Sequence, residues 1–216
     1  DGVNAHRIGT TDLYVYKLSE TPPLDNLDIA GFTPGVNDEL WMVGGGRTPS
    51  TLTPTEYYVD TTTWTWDTEF FIGANATVDG YLTNSTKTIR WGENNVSGYD
   101  EVLSTQTYYT TFDQIGGATY EAQAVVNDSG GPVFAWDGEQ WVLSGIMLTV
   151  AQYTNQPTGT QSAFFGNATY IADLAEYREE IFSIVPEPSS FALLAGVLAM
   201  LVALRRQTSR HNLHVG

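Results

Sequence analysis

In residues 1–184 no apolar run is long; each is cut short by residues that turn a chain, which limits this sequence to short strands. Runs rich in Thr, Tyr, Trp and Val stand at 13–18, 40–43, 56–59, 69–72, 86–91, 106–112, 132–135 and 141–148. β-branched and aromatic residues suit a pleated, half-buried surface. Pro34-Gly35, Gly44-Gly45-Gly46, Asp79-Gly80 and Asp137-Gly138 fall between the runs as turn signals, and the last of these predicts a hairpin. One stretch, 168–183, has helical spacing, with Ile171, Leu174, Ala175, Tyr177 and Ile181 recurring every three or four residues. Many strands and one late helix predict an all-β barrel or sandwich closed by a C-terminal α-helix.

The charge balance changes near Val185. Residues 1–184 carry 6 basic and 24 acidic side chains, a balance of −18, whereas 185–216 hold three Arg against Glu187. The whole chain stands at −16, which argues against nucleic acid as a partner. With no Cys, disulfides, thiol catalysis and Cys-ligated zinc are excluded. Three scattered His (His6, His211 and His214) are too few for a His-rich metal site. No cofactor is expected. The acidic groups Asp25/Asp28, Asp38-Glu39 and Asp100-Glu101 lack EF-hand spacing and read as a solvated surface. The six Trp and twelve Tyr, scattered along strands, read as core and cross-strand pairs rather than as a sugar-binding platform.

Beyond residue 184 the sequence is Val185-Pro186-Glu187-Pro188, then the uncharged run 191–204, then Arg205-Arg206. As a helix, the run would span roughly 21 Å, less than the ~30 Å hydrocarbon core, with flanking Arg able to snorkel. Arg after the apolar segment places the acidic body on the far side of a membrane. This tail resembles the bacterial PEP-CTERM sorting signal. The resemblance implies export to the surface of a Gram-negative-type bacterium and recognition by an exosortase. It also implies transient inner-membrane anchoring, with cleavage near Pro186, Glu187 and Pro188. The sorting signal is assigned to 185–210 and an unstructured tail to 211–216.

The sharpest motif in the body is Asn127-Asp128-Ser129-Gly130-Gly131-Pro132. It is composed of turn formers and has an ordinary reading as a turn. It also has a chemical reading. A Ser hydroxyl becomes a nucleophile when a base takes its proton and backbone N–H groups face the developing oxyanion, and adjacent glycines let the backbone turn tightly.

With its flanks, Val133-Phe134 and Trp141-Val142-Leu143-Ser144-Gly145-Ile146, the motif resembles the nucleophile region of chymotrypsin-like (trypsin-like) serine proteases. Asp12-Leu13-Tyr14-Val15-Tyr16-Lys17-Leu18 resembles the strand bearing the triad aspartate, and Pro34-Gly35 through Met42-Val43-Gly44-Gly45-Gly46 the glycine-rich entry to the second barrel. The resemblance implies a double β-barrel with the first barrel incomplete, over 1–184, and hydrolysis of peptide bonds in a protein or peptide substrate. It makes Ser129 the nucleophile and Asp12 the carboxylate that orients the catalytic His. The N–H groups of Asn127 and Ser129 form the oxyanion hole. Asp128 and Gly130 become structural, and Gln123, Leu148 and Val150 shape the substrate pocket.

Three departures accompany it. Asn127 stands where the family usually has Gly, and Asn tolerates positive φ. The stretch 146–150 lacks the family's Ser-x-Gly. No His matches the base: His6 is only six positions before Asp12, so the resemblance places the base upstream of Asp1 and leaves this chain alone nearly inactive. The rival expectation is an inactive protease-like module that binds protein or matrix at the cell surface.

Overall fold

The computed structural model describes residues 4–20 and 22–184. The strands lie in one compact unit, Asp1–Arg178. In chain order they are β1 (Asn4–Arg7), β2 (Tyr14–Lys17), β3 (Glu39–Gly44), β4 (Arg47–Pro49), β5 (Thr55–Asp60), β6 (Thr65–Asp67) and β7 (Ala76–Lys87). Then follow β8 (Arg90–Val102), β9 (Thr105–Thr111), β10 (Pro132–Trp136), β11 (Trp141–Ala151), β12 (Ser162–Phe164) and β13 (Ala168–Asp173), and the helix α1 (Leu174–Ile184).

Six strands close a barrel in the order β10-β11-β13-β9-β8-β3, with β3 returning to β10. Leu40 and Met42 alternate inward along β3, as do Val133 and Ala135 along β10. With Val96, Tyr108, Met147 and Ile171 they fill the barrel. Closure leaves these strands without a free edge, and burial of alternate apolar residues drives it. A second sheet of five strands, β12-β7-β5-β6 with β4 on β7, has its own core of Tyr57, Val59 and Phe164. β1 and β2 form a separate two-stranded ladder. The chain is therefore mostly β, with a closed barrel, a second sheet and one C-terminal helix, which agrees with the barrel expectation.

The hairpin at Asp137-Gly138 forms as expected: Trp136 pairs with Trp141, and Gly138 has φ 105°. Other expectations fail for identifiable reasons. Residues 69–72 form bends and a turn, with Phe70 and Ile72 turned to solvent rather than into a ladder. The expected strand 86–91 straddles the turn between β7 and β8. Asp79-Gly80 is not a turn but lies inside β7, where a Cβ on Gly80 would strike the Phe164 ring.

The helix expected over 168–183 begins six residues later. Residues 168–173 are β13, held between β9 and β11, and the Asp173 carboxylate then accepts the Ala175 N–H as a helix cap. Some aromatic residues form cross-strand pairs, as with Trp136 and Trp141, others sit in the core or meet loop residues such as Phe70 and Tyr153, and several are exposed. Trp41 stacks on Trp91 at 4.9 Å and meets Trp141, which meets Trp136. Trp91 and Trp136 are each about half exposed.

The Pro186-Glu187-Pro188 motif, the run 191–204 and Arg205-Arg206 lie outside the described residues. So do His211 and His214. Among the described residues no helix is long and apolar enough to cross a membrane.

Candidate functional site

The long connection from β9 to β10 carries Asn127, Asp128, Ser129 and Gly130. Asn127 has φ 79° and Gly130 φ 86°, so the chain passes twice through the left-handed region around Ser129. Backbone bonds hold this geometry. The Asp128 N–H donates to Val125 O, the Gly131 N–H to Asp128 O, and the Gly130 N–H to Met147 O. The alternation turns neighbouring side chains in opposite directions. Asp128 is buried, whereas Ser129 is exposed.

The buried carboxylate is fully engaged. Asp128 Oδ1 accepts the Gly46 N–H at 2.6 Å and Oδ2 accepts the Val125 N–H at 2.8 Å. Gly44 and Gly46 leave room for it, since a Cβ on either would run into that carboxylate. The Gly44-Gly45-Gly46 run thus has a packing role that its composition alone did not reveal.

The Ser129 hydroxyl donates to the Leu148 carbonyl at 3.2 Å. Leu148 sits at a break in the β11–β13 register, between Met147 and Thr149. Such a bulge releases a carbonyl from the ladder. Val150, also on β11, packs against the barrel core. Gln123 lies on the other side of the loop, in the wall of a cavity of about 500 Å³ that Asp128 and Met147 also line. Leu148 and Val150 are not in that wall. Both amide atoms of Gln123 are buried with no hydrogen-bond partner.

Asp12 stands in the turn between β1 and β2. Ile8 and Leu13 are buried beneath that turn, and the Thr11 hydroxyl donates to Ile8 O at 2.6 Å. The Asp12 N–H donates to Thr105 Oγ1 at 3.1 Å, which ties the turn to the first residue of β9. The carboxylate is on an exposed residue, and no hydrogen bond joins it to Ser129 among the described residues. The anchors of the two residues, Thr105 and Leu148, are on strands that flank β13. Met147 and Tyr108 both face Ile171, so strand rise and spacing put the two anchor backbones roughly 15 Å apart. His6 is exposed in β1 opposite Val15 and makes no hydrogen bond with Asp12 or Ser129 among the described residues.

The loop's chemistry is that of an exposed hydroxyl backed by a rigid, inward-tied carboxylate. Among the described residues no group of three or more His, Asp or Glu is placed to hold a metal ion. No family model matches the chain, and no curated protein matches it.

Proposed function

We propose that the chain is the C-terminal portion of an exported, chymotrypsin-like serine endopeptidase. The observation that carries the reading is the opposed orientation of two consecutive residues. The Asp128 carboxylate is turned inward onto two backbone N–H groups while the Ser129 hydroxyl is exposed beside it.

In this reading Ser129 Oγ attacks the peptide carbonyl carbon. Its proton passes to a histidine supplied from outside these 216 residues and then to the leaving amine; water hydrolyses the acyl-enzyme by the reverse proton path. Asp12 orients that imidazole. The N–H groups of Asn127 and Ser129 stabilise the oxyanion. Gln123, Leu148 and Val150 shape the substrate pocket, and 185–210 is the PEP-CTERM signal read by an exosortase at the inner membrane.

The test is a fluorophosphonate probe on protein expressed with its upstream coding sequence, with Ser129→Ala as control. Stoichiometric labelling lost in the variant supports the reading, and a folded protein that stays unlabelled overturns it. Mass spectrometry of the exported protein tests the tail: a C-terminus near 185–188 supports the sorting signal, and an intact Gly216 argues against it.

A second reading, a non-catalytic protease-like module binding protein or matrix, is favoured by one contact. The Ser129 hydroxyl is already engaged by the Leu148 carbonyl rather than by a base.

A further inference from the structure

The few cations of the body are not spread evenly. Of the 6 basic side chains in residues 1–184, three gather in one place. Arg47 opens β4, Lys87 is its Cα partner across β7, and Arg90 opens β8. Arg90 Nη2 donates to the Arg47 carbonyl, which holds the two arginines together. Like charges opposed across a ladder are destabilising. With 24 acidic side chains in the same residues, carboxylate partners are plentiful. Yet among the described residues none of the three has an ion pair. Arg47 Nε is buried without a partner, and Nη1 reaches only the Asn84 carbonyl, at 3.5 Å. Arginines without an ion pair keep N–H donors that an anion from outside can take up.

The cluster opens onto the cavity described above. Arg47 and Arg90 line it together with Tyr81, Phe112, Met147 and Phe165. Its volume of about 500 Å³ is typical of small-ligand sites. Two of the carboxylates in its wall are already occupied. Asp128 accepts Gly46 and Val125 N–H groups, and Glu121 accepts the Asn94 side-chain amide and the N–H groups of Asp113 and Ala118. Asp113, the third, is exposed to solvent. The groups left unsatisfied are the Arg47 Nε–H and the Gln123 amide, a donor and a donor–acceptor pair.

We propose that this cavity binds the C-terminal end of a peptide whose last residue is aromatic. The terminal carboxylate lies against Arg47 and Arg90, the ring lies among Tyr81, Phe112 and Phe165, and the last peptide group pairs with the Gln123 amide after that side chain turns inward. The site shares Gln123 with the substrate pocket of the protease reading but does not use the Ser129 hydroxyl, and a binding titration tests it without any turnover.

The experiment titrates the 216-residue chain with N-acetyl-L-phenylalanine, read by tryptophan fluorescence, since Trp91 lines the cavity, and by calorimetry. Saturable binding is expected, weakened about tenfold or more by the uncharged N-acetyl-L-phenylalaninamide and by Arg47→Gln, and unchanged in Ser129→Ala. Lys87→Gln, an exposed change that leaves the cavity wall intact, is expected to weaken it about twofold and to reduce its salt dependence. No saturation by about 10 mM, or equal affinity for the amide in a folded protein, overturns the proposal. 3-Phenylpropionate has the carboxylate and ring without the peptide group. Weaker binding of this acid supports a peptide end, and equal or tighter binding overturns that assignment in favour of free aromatic acids.

Discussion

The Asp128 carboxylate accepts the backbone N–H of Gly46 across 82 positions of chain, at 2.6 Å, and so joins the glycine elbow after β3 to the loop that presents Ser129. Its second oxygen takes the Val125 N–H from within the loop. Both bonds are charge-assisted and buried, and losing the acceptor leaves two N–H groups unsatisfied. Asp128→Ala is expected to cost about 3 kcal/mol in urea unfolding. Asp128→Asn keeps one carbonyl acceptor and is expected to cost about half as much. An unchanged unfolding midpoint for the Ala variant would show that the tie contributes nothing.

The same contact makes a second prediction, from the glycine side. A Cβ at Gly46 would meet the Asp128 carboxylate, so Gly46→Ala is expected to destabilise by about 1–3 kcal/mol through overpacking. In an Asp128→Ala background the obstacle is gone. The double variant is then expected to cost less than the two single changes together, by at least about 0.5 kcal/mol. Strict additivity in a double-mutant cycle would count against the contact.

These two residues also show where the sequence stops being informative. The β10–β11 hairpin was legible because Asp137-Gly138 between two apolar runs is a local signal, and the strand at 40–43 was legible as a short apolar run bounded by turn residues. β7 was not. Its Thr, Asn and Lys residues carry no apolar period, and Gly80 is a glycine because Phe164 occupies the space above it, not because the chain turns. The start of α1 was misplaced because Ile171, Leu174 and Ala175 fit a helical spacing as well as a strand. Pairing of β13 on both sides decides for the strand, and that pairing depends on distant residues. At the candidate site, the Ser129 motif was readable in one stretch of sequence. The Gly46–Asp128 tie, the Leu148 carbonyl and the Arg47–Arg90 cluster each join segments far apart in the chain, which no local pattern reports.

Asn127 has φ 79°, a conformation that costs most side chains roughly 1–2 kcal/mol and Asn or Gly much less. Asn127→Gly is expected to leave the melting temperature nearly unchanged. Asn127→Val is expected to destabilise by about 1–2 kcal/mol, because a β-branched side chain fits the left-handed region worst. Equal melting temperatures for the Gly and Val variants would contradict the left-handed loop geometry at Asn127.

The unpartnered amide of Gln123 is a cost to the unliganded fold. Gln123→Met preserves length and removes both buried polar atoms. It is expected to stabilise the unliganded chain by about 1–2 kcal/mol, seen as a higher urea midpoint. A destabilised variant would mean that the amide has partners in solution.

Asp173 makes a prediction about pH. It is only 3% exposed at the end of β13, and burial is the main cause that pushes its carboxyl above the ordinary range. Hydrogen bonds from the Thr33 hydroxyl, at 2.5 Å, and from the Ala175 N–H oppose that rise without cancelling it, and nearby Glu176 adds to it. A carboxyl with a raised folded pKa binds its proton more tightly in the native state than in the unfolded one. Its contribution is therefore most favourable below the unfolded value, about 4, and declines as pH rises through the folded value. Asp173→Asn removes the titration. Its carbonyl can still cap Ala175, and the Thr33 hydroxyl can turn to accept from the new amide. The unfolding free energy of the variant relative to the parent is expected to rise from about pH 4 upward and to level off once pH has passed the raised folded value. Urea unfolding of both proteins at unit pH steps measures it. A difference that stays flat with pH would show that the buried carboxyl is not raised, and a difference that falls would give it the opposite sign.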